Sequence, residues 1–64
     1  MKKLTRTEYM RIGQSFASMW GGSCIDFEVD NEGNVEFDCI EHGDRFCVKQ
    51  TDAECREELA LISK

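Results

Sequence analysis

The sequence predicts an α+β domain in the order α-β-β-β-α, a three-stranded antiparallel meander with both helices on one face. Three observations predict it. Thr5-Arg6-Thr7-Glu8 and Thr51-Asp52-Ala53-Glu54 each fit a capping box, in which a threonine hydroxyl and a glutamate exchange hydrogen bonds with the first turn. Cys24 to Val29 and Val35 to Ile40 alternate between apolar and polar residues at period two, as half-buried strands do. Two turns, read independently, place Phe27, Phe37 and Val48 on the same sheet face.

Helix one is expected at residues 6–20. Apolar residues fall at Tyr9, Ile12, Phe16, Met19 and Trp20, a helical stripe assigned to the core. Gly21-Gly22 ends it by offering a left-handed cap. Gly13 costs roughly 1 kcal/mol relative to alanine inside a helix. With Ala17 it permits close backbone approach, to the sheet or to a second copy.

The first hairpin turns at Asp30-Asn31-Glu32-Gly33-Asn34, with Gly33 suited to the left-handed position of a three-residue loop. Pairing Asp30 with Asn34 sets Val29 opposite Val35, Phe27 opposite Phe37 and Ile25 opposite Cys39. On the other face Glu28 then lies opposite Glu36, and Asp26 opposite Asp38. Like charges so placed cost a few tenths to about 1 kcal/mol per pair. His42-Gly43 makes the second, two-residue turn. It sets Ile40 beside Arg45, Cys39 beside Phe46, Phe37 beside Val48 and Glu36 beside Lys49. Helix two is expected at residues 52–63, with a short stripe of Cys55, Leu59 and Ile62.

At 64 residues the chain is read as one domain, 1–64, with room for one small core. A deep substrate pocket does not fit easily in such a chain, which argues against an enzyme. Net charge is −5, unevenly spread. Residues 1–23 hold four basic residues against Glu8, while residues 24–58 hold twelve acids against Arg45, Lys49 and Arg56. An acidic surface repels nucleic acid and attracts basic surfaces, many of which bind nucleic acid. Met1-Lys2-Lys3 leads into no continuous apolar stretch, so a cytoplasmic protein with reduced thiols is expected.

The candidate site is the uncovered sheet face with Asp26, Glu28, Glu36 and Asp38, extended by Asp30 and Glu32 of the turn. Residues i and i+2 of a strand stand about 6.5–7 Å apart on one face, near the spacing of successive phosphates. Parallel side chains on an open sheet do not converge as Mg2+ or Ca2+ requires. The four cysteines form no Cys-x-x-Cys pair, so no metal or other cofactor is expected. Cys39 and Cys55 are expected to face the core, Cys24 and Cys47 to face outward. His42 and Cys47 are the one conceivable base and nucleophile, with nothing to orient the histidine.

Short length, net acidity and the carboxylates at Asp26, Glu28, Glu36 and Asp38 resemble the small acidic inhibitors encoded by bacteriophages, notably anti-CRISPR proteins. The resemblance is one of character across the whole chain, not of a diagnostic motif. It implies a non-enzymatic DNA mimic that blocks the recognition-motif site of a CRISPR effector complex in the host cytoplasm. The partner would be that basic DNA-binding surface, with no direct nucleic-acid contact, and the chain a monomer or homodimer. Alternatives are a small homodimeric or regulatory interaction module using the sheet face or helix one, and a metal-stabilised module.

Overall fold

The computed structural model describes residues 3–63. Lys2, counted above among the basic residues, lies outside them. The elements are α1 (Arg6–Ser18), β1 (Ser23–Val29), β2 (Val35–Glu41), β3 (Asp44–Gln50) and α2 (Asp52–Ile62). The sheet order is β1-β2-β3, with both pairings antiparallel. This is the expected α-β-β-β-α fold.

Both capping boxes form. The hydroxyl of Thr5 accepts from the Glu8 amide and Glu8 accepts from the Thr5 amide; Thr51 and Glu54 do the same for α2. Gly21, after the end of α1, takes a φ of 77°. At the first hairpin the Asp30 amide donates to the Asn34 carbonyl at 2.9 Å, and Gly33 has a φ of 88°. His42 and Gly43 have φ of 50° and 84°, the positive values that a primed two-residue turn demands.

One core lies between the sheet and the helices. Tyr9, Ile12, Phe16 and Ala17 of α1 and Cys55 of α2 meet Cys24, Val35, Phe37 and Cys39 of the sheet. Phe37 is its centre, fully buried and flanked by the rings of Phe16 and Phe27 at 6.0 and 6.5 Å. Gly13 settles what the helix glycine is for. A Cβ there would stand 2.5 Å from Phe37 and 2.6 Å from the Cys24 sulfur. The close approach is to the sheet.

Four expectations are corrected. First, the β1–β2 ladder runs regularly from Val29↔Val35 to Asp26↔Asp38, then shifts, so that Cys24 rather than Ile25 pairs with Cys39. Ile25 is the extra residue of a β-bulge. Cys24 is therefore buried and Ile25 is 42% exposed, the reverse of strict alternation. Second, α1 ends at Ser18, two residues earlier than expected. Third, Met19 and Trp20 have left the helical stripe and stand 66% and 63% exposed, not in the core. Helix α2 likewise stops at Ile62 rather than 63.

Candidate functional site

The open face is built by alternation on β1, β2 and β3. The same register that turns Phe27, Phe37 and Val48 toward the core turns Asp26, Glu28, Glu36, Asp38, Cys47 and Lys49 the other way. The expected pairs are present: Glu28 lies opposite Glu36 and Asp26 opposite Asp38. The bulge begins beyond Asp26, so it leaves all four carboxylates in register.

Their local partners differ. The Phe27 amide donates to Asp26 at 2.8 Å, which ties that carboxylate to its own strand. Lys49 sits 3.6 Å from Glu36 across β2 and β3. Both ends of this pair are largely solvated, so it is worth about 0–1 kcal/mol. Asp38 accepts from the Cys47 thiol at 3.4 Å. That bond, then desolvation and the charge of Asp38, push the Cys47 thiol above its ordinary 9.0. Glu28 is exposed and has no hydrogen bond or ion pair among the described residues.

Asp30 and Glu32 divide. Asp30 turns inward on its loop, where one carboxylate oxygen accepts from the amides of Glu32 and Asn34, both at 2.9 Å. Its other oxygen accepts from the Asn34 side chain at 3.3 Å. Its first task is to hold the loop's shape. Glu32 is exposed at the tip. A depression of about 520 Å3 adjoins this end of the face, lined by Glu28, Asp30, Glu36, Lys49 and Glu54 among others.

Glu36, Asp38 and Cys47 bring one ligand atom each within 4.8 Å of one another, a convergence that parallel side chains were not expected to achieve. Cross-strand pairing of Asp38 with Cys47 produces it. A metal-bound cysteine is a thiolate, so an ion here would have to displace the proton that the Cys47 thiol donates to Asp38. The trio as it stands is a thiol-to-carboxylate hydrogen bond beside a lysine-relieved glutamate.

The other candidates take structural places. His42 lies 3.9 Å from Glu41 at the turn, and Cys47 is engaged by Asp38, so the two do not form a pair. Arg6 stacks over the Phe27 ring at 5.4 Å, and Arg11 donates to the Ile62 carbonyl near the end of α2. These basic residues of α1 are spent on the fold. All four cysteines are free thiols. Burial pushes Cys39 and Cys55 up to about 11.

No family model, curated protein or solved structure matches this chain. No described helix is long and apolar enough to cross a membrane.

Proposed function

We propose that this protein is a non-enzymatic inhibitor that mimics DNA, its open acidic face occupying the basic DNA-binding site of a CRISPR effector complex in a host cytoplasm. One observation carries the reading: two directly opposed like-charge pairs, Asp26/Asp38 and Glu28/Glu36, on a sheet face that no helix or strand covers among the described residues. Such pairs oppose folding, by up to about 1 kcal/mol each. A face that retains them is explained by a partner whose cations neutralise them. Arg and Lys that grip phosphates, or read guanines of a recognition motif, supply those cations. Carboxylates receive arginine through charge-assisted, often bidentate bonds. Asp26, Glu28 and the Glu32 tip are the exposed contacts, with the half-buried Glu36 and Asp38 on the middle strand. Asp30 contributes charge while shaping the loop.

The test is competition. The protein displaces labelled target DNA from the effector, less so as salt rises, and Glu28→Lys with Asp38→Lys abolishes displacement while the circular dichroism spectrum stays the same. Equal displacement by the reversed protein at matched concentration rejects the reading.

The interaction-module alternative gains from the exposure of Met19 and Trp20 and loses Gly13, which the sheet occupies.

A further inference from the structure

We infer that the groove along the outer edge of β3 is a docking site for an extended, basic segment of a partner protein with alternating apolar residues. This groove shares Glu54 with the depression at one end of the acidic face, but its apolar floor lies on the opposite side of the sheet and it does not rest on the reading given to that face. The groove measures about 580 Å3. Its floor is Phe46 and Val48 of β3, with Met19 and Trp20 at one end and Leu61 of α2 on the far side. Of the four large exposed hydrophobics among the described residues, Met19, Trp20 and Leu61 gather here.

Two features define the occupant. β3 pairs with β2 on one side only, so among the described residues its outer edge meets no strand. An extended chain laid there gains main-chain hydrogen bonds, and alternate side chains enter pockets. The far wall carries Glu54, Glu57 and Glu58. No ion pair neutralises these three among the described residues. Glu58 accepts from the Ser15 hydroxyl and Glu54 from the Thr51 amide, neutral donors that leave the charge in place. The occupant's charged residues are therefore Lys or Arg, its apolar ones meeting Trp20 and Leu61. A second copy fits less well. Twofold pairing of two β3 edges would bring two acidic walls together, and Arg45 and Lys49 of β3 point to the opposite sheet face from Phe46 and Val48.

Trp20 is the only tryptophan, so its fluorescence reads the groove directly. The probe is a capped peptide of alternating lysine and valine, matched in length to β3. Titration should give a saturable blue shift of Trp20 emission, absent with a glutamate-valine peptide. Glu57→Lys should weaken binding by about tenfold or more. Glu28→Lys should leave the affinity within about twofold, since Glu28 lies on the other face and does not line the groove. Absence of a shift, or a shift unchanged by Glu57→Lys, overturns the proposal. So does a loss equal to that of Glu57→Lys on Glu28→Lys. A shift that grows with protein concentration alone, with a dimer in sedimentation, assigns the groove to a second copy and overturns it too.

Discussion

On one face of β2, Val35, Phe37 and Cys39 are sealed beneath α1; on the other, Glu36 and Asp38 of the same strand stand opposite carboxylates of β1. The first set has every neighbour chosen to fit. The second has neighbours that repel it. The difference separates what the fold needs from what it merely tolerates. Residues of the covered face are held by burial and close packing, so exchanging them should unfold the chain. Residues of the open face are carried at a small cost, so exchanging them should spare the fold and remove whatever the face does.

The covered side breaks first at Phe37→Ala. Phenylalanine-to-alanine changes in a core cost about 3–5 kcal/mol, comparable with the whole stability of a small domain. Urea denaturation should show a chain largely unfolded without denaturant. Gly13→Ala is the subtler break. Alanine favours the helix by roughly 1 kcal/mol, yet overpacking typically costs 1–3 kcal/mol. With fully buried Phe37 directly against the new methyl group, overpacking wins, and a net loss of up to about 2 kcal/mol should appear in the denaturation midpoint.

Alkaline pH sharpens the same contrast. Cys39 and Cys55 hold their protons to about 11 in the folded chain, against 9.0 when exposed. The unfolded chain gives up those protons first, so stability is intact below pH 9 and falls as pH rises toward 11. Thermal melts across that range should show a decline that is reduced in Cys55→Ala.

The open side should respond in the opposite way. Glu28→Lys with Asp38→Lys converts both like-charge pairs to opposite-charge pairs, and should leave stability equal or raise it by up to about 1 kcal/mol. A larger loss in urea would mean that the face is structural after all. The smallest effect belongs to Cys47. Asp38→Ala removes the carboxylate that raises its pKa, so alkylation by iodoacetamide at pH 8 should speed up, by up to about tenfold for each pKa unit recovered.

Much of this arrangement was legible in sequence because it rests on local chemistry. The capping threonines, the Asp30–Asn34 loop and the His42-Gly43 turn fix where elements begin and how strands align, and alternation then assigns faces. The β2–β3 register appears as read, and so do both opposed acidic pairs. Cys24 and Ile25 were not legible. Nothing in Ser23-Cys24-Ile25-Asp26 marks a bulge, whose benefit comes only when Cys24 is seated beneath Gly13. Met19 and Trp20 misled for another reason: the stripe continues in sequence after the helix has stopped at Ser18. The Glu36–Asp38–Cys47 convergence depends on side-chain directions across two strands, which spacing along one strand does not give. Nor does spacing reveal that Asp30 spends its hydrogen-bonding capacity inside its own loop.

The bulge also bears on how such a chain can vary over generations. Ile25 is one residue more than the β1–β2 ladder requires. Removing it would let Cys24 directly precede Asp26, still opposite Cys39, while every pair from Asp26 to Val29 stayed as it is. A descendant that lost this codon would keep both its sealed face and its acidic face, and an alignment of the two chains would carry a single gap at position 25. Loss of one residue at Phe27 or Glu28 has no such refuge, because it inverts the faces of the strand between the deletion and the bulge.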